Sequence, residues 1–259
     1  MANNRLDQVV STIVEKVRDG VREEKVSYEE YRAAVGYMMK VADAGELALF
    51  IDLFLNATMC RVINENAHSK ASLQDMEGPY FLDESPMLED GKMKLMDGYE
   101  NDEPLIVRGT VRDVDGAAMP GVLVDMWNAT PDGKYGGIHE GVPVDHYRGK
   151  VRTDENGHFR FESTVPVPYR IKDNGPVGAM LKAMGRHSWR PAHVHIKVRH
   201  EGYRDLITQL YFAEGEYVHD DCCEGTVPQE FVFDKVIEDG KRVLETDLFI
   251  EKVSEKQAA

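Results

Sequence analysis

Apolar residues near the start of the chain recur at three- and four-residue intervals: Leu6, Val9, Val10, Ile13, Val14 and Val17. That spacing predicts an amphipathic helix. Ser27-Tyr-Glu-Glu30 is a capping-box signature for a second helix running towards Ala42. Residues 45–62 predict a third, in which Leu47, Leu49, Phe50, Ile51, Leu53, Phe54 and Leu55 leave little polar face. A helix apolar nearly all round belongs between other elements or at a subunit contact. Near "EGPYFLDESP" (77–86) the helical pattern stops and Gly and Pro take over. From about Pro104 the runs "LIVRGTVRD", "GVLVDMWNA", "GHFRFESTV", "AHVHIKVRH", "LITQLYFA" and "LETDLFIEKV" read as strands between turn signals such as "DVDG" and "DENG". Several antiparallel-looking runs with no helices between them predict a β-sandwich. The expected fold class is therefore α+β: an amino-terminal helical region over 1–75, then an antiparallel β-sandwich over 76–259. Residues 131–149, rich in Gly and His, exceed a hairpin turn, and loops of that length are often functional. Residues after about 252 read as a polar, frayed tail.

Composition narrows the function classes. The 259 residues suit one large domain or a domain with a helical appendage. The net charge is −15 with acids and bases interspersed, which argues against nucleic-acid binding, since that needs a basic face. No signal peptide is evident, and the apolar run Leu47–Leu55, interrupted by Asp52, is too short for a membrane span. The three cysteines, Cys60, Cys222 and Cys223, form neither a disulfide framework nor a C-x-x-C clip. A reducing cytoplasm is the expected location.

Candidate chemistry starts at "RPAHVHIKVRH" (190–200). Side chains two apart on a strand leave on the same side, so His193 and His195 can bind one metal ion or can be two half-buried histidines serving backbone carbonyls. Tyr135 in "PDGKYGG" and Tyr169 in "VPVPYRI", its backbone constrained by prolines, are the further ligand candidates. Either could equally be a packed aromatic with a hydrogen-bonded hydroxyl. A phenol titrates near 10, so binding as phenolate at neutral pH needs a strongly Lewis-acidic ion. Among common biological metals, ferric iron suits two phenolates and two imidazoles better than zinc or magnesium.

The blocks "LIVRGTVRDVDGAAMPGVLVDMWNATPDGKY", "PVPYRI…NGPVG" and "SWRPAHVH" resemble the intradiol ring-cleaving dioxygenases. The resemblance covers nearly the whole chain, including the helical region and "EGPYF", and is greatest to the catechol and chlorocatechol 1,2-dioxygenases. It implies that Tyr135, Tyr169, His193 and His195 hold a non-haem Fe(III), with Arg190 and Gln209 beside the substrate. A catechol-type substrate and O2 are implied as reactants and a cis,cis-muconate as product. Tyr169 is implied to leave the metal and accept a substrate proton, and Arg190 to stabilise negative charge on the ring. Arg190 is expected on the strand face of His193. Leu49, Asp52, Leu53, Met76, Gly78, Pro79, Tyr80 and Cys223 match positions that shape the substrate pocket, and "DDCC" favours chlorinated rings. Asn128, Gly136 and Lys172 depart from residues common in the family (His, Ser and Pro). The resemblance further implies a homodimer through the amino-terminal helices, often around bound phospholipid. The rival readings are a hydroxyquinol 1,2-dioxygenase, an Fe(II) extradiol enzyme using two histidines and a carboxylate, and a non-catalytic β-sandwich binding module.

Overall fold

In the computed structural model, which describes residues 4–99, 102–224 and 227–253, helices precede two packed sheets. The chain divides into two compact units, Met1–Leu47 and Ala48–Ala259. Most of the expected tail after 252 lies outside the described residues.

The first unit contains α1 (Asn4–Glu23) and α2 (Tyr28–Asp43). α2 starts at the predicted capping box: the Glu30 amide donates to Ser27 Oγ at 3.2 Å and the Ser27 amide donates to a Glu30 carboxylate oxygen at 2.8 Å. Two orphan amides of the first turn are thereby satisfied. The α1 periodicity is realised as a stripe of Leu6, Val10, Ile13, Val17 and Val21, and all five are exposed.

The second unit opens with α3 (Leu47–Ile51), a π-helical turn (Asp52–Asn56) and α4 (Ala57–Glu65). Among the described residues the combined helix Leu47–Glu65 is long and apolar enough to cross a membrane, which corrects the estimate made from Leu47–Leu55 alone. Its inner side packs on loop segments of the same unit, however. Leu53, Ala57 and Cys60 are buried, Arg186 lies 5.7 Å from the Phe54 ring, and Asn64 exchanges hydrogen bonds with the Gln74 backbone. Ile51, Leu55, Met59 and Val62 form a second apolar stripe that stays exposed. Full burial, expected for a helix of this composition, is not reached in the single chain.

One sheet runs β10 (Ile237–Glu238), β11 (Lys241–Ile250), β1 (Pro104–Asp113), β4 (His158–Thr164). The other runs β3 (Arg148–Arg152), β2 (Leu123–Asn128), β7 (His193–Arg199), β8 (Leu206–Phe212), β9 (Val232–Phe233). A two-stranded ribbon joins β5 (Tyr169–Arg170) to β6 (Trp189–Arg190), with α5 (Pro176–Ala183) between them. The pairing is not purely antiparallel: β1 with β11 and β8 with β9 run parallel. β1 and β11 stand at opposite ends of the sandwich sequence, so their connection spans the other strands and no hairpin constrains their direction.

The core between the sheets takes alternate residues: Leu105, Val107 and Val111 from β1, Phe159 and Phe161 from β4, Leu244 and Leu248 from β11. Val124 and Met126 of β2, Val194, Ile196 and Val198 of β7 and Leu206, Leu210 and Phe212 of β8 oppose them. By the two-residue alternation of a strand, Trp127, His193, His195, Gln209 and Tyr211 leave the far side of that second sheet. All five are buried there too.

Candidate metal centre

The register of three central strands assembles the site. His195 stands opposite Trp127 on one side and Gln209 on the other, and His193 stands opposite Tyr211. Trp127 stacks flat on His195, 4.6 Å between ring centres at 4°. The cover over this face comes from two loops. Residues 75–82 are tied down by the Asp75 amide donating to Ile207 O at 2.8 Å. The β2–β3 loop carries Tyr135. Arg148, at the start of β3, clamps the two loops by donating to Tyr80 O and to Gly136 O. Gly78 sits under the cover with φ +70, where a Cβ would come within 3.7 Å of the His195 ring.

Four of the residues singled out from sequence converge. Tyr135 Oη lies 3.5 Å from His193 Nε2, which lies 3.0 Å from His195 Nε2. The Tyr169 ring meets Tyr135 edge-on at 5.4 Å and His193 at 5.5 Å. His193 Nδ1–H donates to Pro191 O at 2.7 Å, which leaves its Nε2 as a lone pair facing the cluster. Burial, with the charge of Arg190 second, lowers the His193 pKa to about 3, and His195 is pushed down by burial and by His193. Both imidazoles are thus neutral, as metal ligands must be. Burial raises both phenols, so in the protein alone they stay protonated. Only a strongly charged cation would convert them to phenolates. A set of two nitrogen lone pairs and two buried phenol oxygens, with no carboxylate among them, fits ferric iron on its donor chemistry. It does not fit the two-histidine, one-carboxylate pattern of Fe(II) sites.

Arg190 corrects an expectation. It stands three positions before His193, so strict alternation would send it to the opposite face. Instead β6 ends at Arg190, Pro191 interrupts the ladder, and Arg190 pairs across the ribbon with Tyr169. Its guanidinium is buried against Asp221, with Nη2 to Oδ2 at 2.9 Å, and also donates to Gln209 Oε1 at 3.1 Å. Burial opposes the charge, yet Asp221, with Tyr169, Cys223 and Tyr211 adding to it, together outweigh burial and hold the arginine protonated. Asp221 is lowered for the reciprocal reason, burial being overcome by Arg190.

Gln209 is oriented in turn. Its amide donates to Met76 O at 2.5 Å, while Tyr211 Oη–H lies 2.9 Å from Gln209 Oε1 and 2.7 Å from Asp75 Oδ2. Asp75 is almost fully buried, and burial raises its pKa to about 6 against the Tyr211 hydrogen bond. Sequence reasoning passed over Asp75, Tyr211, Asp221, Arg148 and His139, whose Nδ1 accepts from the Tyr135 amide at 3.0 Å. The period-two spacing of Gln209 and Tyr211 on a strand could have flagged Tyr211. Asp221 lay in the "DDCC" run and His139 and Arg148 in the long loop 131–149, while Asp75 had no local signal.

Of the remaining candidates, Tyr80 packs on Tyr135 (4.6 Å) and on Tyr169 (6.1 Å). Cys223 is buried and close enough to Asp52, Arg190 and Tyr169 to interact with their charges. Met76 and Leu53 are buried, Leu49 is half-buried and Pro79 is exposed. Asn128 is buried with its side chain donating to Ala129 O (2.9 Å) and accepting from Ser163 Oγ (2.9 Å), so it serves structure on the core side of Trp127. At Gly136 a Cβ would fall 2.3 Å from His146 O, so the β2–β3 loop folds down where a serine could not be admitted without rearrangement. Lys172 is exposed.

Two family models match. "Catechol dioxygenase N terminus" covers residues 3–71 and "Dioxygenase" covers 76–249. A chlorocatechol 1,2-dioxygenase of Pseudomonas putida is 44% identical over 255 residues, 98% of this chain and 96% of that protein. A hydroxyquinol 1,2-dioxygenase of a Rhizobium species is 30% identical over 93% of this chain and 83% of that protein. The crystal structure of chlorocatechol 1,2-dioxygenase from Pseudomonas putida superposes with a TM-score of 0.91 at 44% identity, covering 96% of this chain and all of that one. With the same helical lead, the same two-sheet fold and full-length sequence similarity, the chain belongs to the intradiol ring-cleaving dioxygenases and is an oxidoreductase of that family.

Proposed function

We propose that this chain cleaves catechol and chlorinated catechols between the two hydroxylated carbons, using O2 and a non-haem ferric ion held by Tyr135, Tyr169, His193 and His195. The convergence on His193 Nε2 of Tyr135 Oη at 3.5 Å and His195 Nε2 at 3.0 Å carries the reading. When bound, ferric iron supplies Lewis acidity to both catechol hydroxyls and lowers their pKa values. The protein's own groups do the rest. Tyr169, ionised while it holds the metal, would take a substrate proton back onto its phenolate oxygen. Arg190, held charged by Asp221, stabilises negative charge spreading into the ring. Gln209 fixes the guanidinium from the other side. Residues 75–82, with Asp75 and Met76 buried, cover the site and restrict water. A non-catalytic module would leave this buried, oriented set without a use.

Substrate choice rests on Leu49, Asp52, Leu53, Met76, Gly78, Pro79, Tyr80 and Cys223. Met76 and Cys223 are polarizable and suit a chlorine. The 44% identity to a chlorocatechol enzyme, against 30% to a hydroxyquinol enzyme, supports the same preference. A pocket contact of this size is worth about 1–3 kcal/mol, so plain catechol still reacts. A homodimer closed by the exposed stripe of α1, with lipid bound on the same apolar surface, accounts for the five stripe residues that the single chain leaves in water. Three unpaired cysteines suit the cytoplasm.

Tyrosinate ligands on ferric iron are expected to colour the loaded protein red to purple by charge transfer. His193→Ala or His195→Ala is expected to lower iron content and abolish turnover and that colour, and Tyr169→Phe to retain more iron than Tyr135→Phe. Metal analysis showing full iron in either histidine variant refutes the ligand set. In oxygen-uptake assays, 3- or 4-chloro- and methylcatechols are expected to match or exceed catechol in kcat/KM, and a strong preference for hydroxyquinol would overturn that. Tyr211→Phe is expected to cost about 1–3 kcal/mol in urea denaturation, because it strands buried acceptors on Asp75 and Gln209. It should also lower kcat/KM about tenfold with iron content unchanged, and an unaltered kcat/KM would mean Gln209 and Arg190 hold their places without it. A chain lacking residues 1–40 is expected to be monomeric or insoluble, and light scattering that finds the full-length chain monomeric counts against the dimer.

A further inference from the structure

Cys222 contributes nothing to the reaction described above, yet it stands in a constructed place. Its Sγ lies 3.8 Å from Cys223 Sγ, and both thiols are free and buried. The carboxylate of Asp221 joins them, with the three ligand atoms all within 4.8 Å of one another. Two sulfurs bound at about 2.3 Å to a tetrahedral cation stand roughly 3.8 Å apart, so the pair is already at the bite such an ion requires. A second observation concerns access. A cavity of about 380 Å³ reaches Cys222 and Asp221, and Arg186, His187, Asp220 and Glu224 also line it. Three carboxylates and an imidazole against one guanidinium make its wall attractive to a cation. His187 Nε2 already lies 3.2 Å from Asp220 on that wall.

We propose that Asp221, Cys222 and Cys223 form a binding site for a thiophilic divalent cation of the zinc and cadmium class, and that filling it inhibits ring cleavage. Each sulfur gives up its proton to solvent as its bond to the cation forms, with no change of oxidation state. The inhibition rests on the role of Arg190 proposed above. Asp221 is the counterion of Arg190, with contacts of 2.9, 3.2 and 3.3 Å. A cation drawing on that carboxylate loosens its hold on the guanidinium, and the same event puts the Cys223 thiol, one of the proposed substrate-pocket groups, onto the ion. Soft thiolate ligands favour such ions over magnesium or calcium.

Iron-loaded protein titrated with cadmium chloride in thiol-free buffer tests this. One equivalent is expected to produce a saturating ultraviolet cadmium–thiolate band and to remove two of the three cysteines from thiol titration. It should lower kcat at least tenfold while the visible colour of the iron site stays unchanged. Cys222→Ser is expected to lose the band and the sensitivity while keeping its turnover without cadmium, and Cys60→Ser to keep both. The band reads the site whether or not the chain turns over catechols, so its failure is distinct from failure of the proposed function. Absence of the band, its persistence in Cys222→Ser, or loss of the iron colour as inhibition develops would each overturn the proposal. If Cys222→Ser does not fold, peptide mass spectrometry on the native protein decides. One equivalent of cadmium is expected to protect Cys222 and Cys223 from iodoacetamide, and alkylation of both in its presence would overturn the site.

Discussion

Strand β7 is buried on both faces, and the arrangement of the site depends on that. Val194, Ile196 and Val198 close the core between the sheets, while His193 and His195 point away from it into a second buried layer. An ordinary sandwich strand gives its outer face to water. Here the outer face is roofed by residues 75–82 and by the β2–β3 loop, clamped together through Arg148. Desolvation follows directly. It keeps the imidazoles neutral, raises the phenols and makes every remaining charge in the layer interact strongly.

Charge in such a layer is stable only when paired. Arg190 and Asp221 meet that condition with two-point contact, and removal of either partner would strand a buried ion at a cost of about 3–5 kcal/mol. Beyond the pair, hydrogen bonds run from Arg190 through Gln209 and Tyr211 to Asp75. Such a chain holds the guanidinium from both sides at a fixed distance from Tyr169, its partner across the ribbon. Orientation of a charge before the reaction is what makes it effective in a dry site. The same coupling makes the Asp221–Cys223 loop a point from which activity can be altered without touching the metal ligands.

Outside the site, the surface departs from what a single chain needs. The stripes on α1 and on the Leu47–Glu65 helix keep large aliphatic side chains in water. Neither stripe contains a candidate ligand, so the dimer proposed above would draw on different residues from the metal centre. Asn128 and Gly136 show the reverse relation. Each departs from a residue common in the family, and each is accommodated by its own neighbours: Ser163 and Ala129 around the one, a close carbonyl over the other.

Periodicity and capping residues determined the helices over the first 65 positions and the longer strands, because those signals are local: a 3.6-residue stripe, a reciprocal cap at Ser27, alternation along β7. The four ligand candidates were legible because their motifs are compact and their residue types unusual together. Tertiary structure alone decided the parallel pairing of β1 with β11, since strand direction depends on a connection across the sandwich and not on either strand's sequence. It alone decided that Arg190 leaves its ladder at Pro191 to face Tyr169. It also recruited Asp75, Arg148, Tyr211 and Asp221, ordinary polar residues in the sequence whose significance comes from the buried partners each one meets around the site. Burial is a property of the assembled layers, and no run of neighbouring residues encodes it.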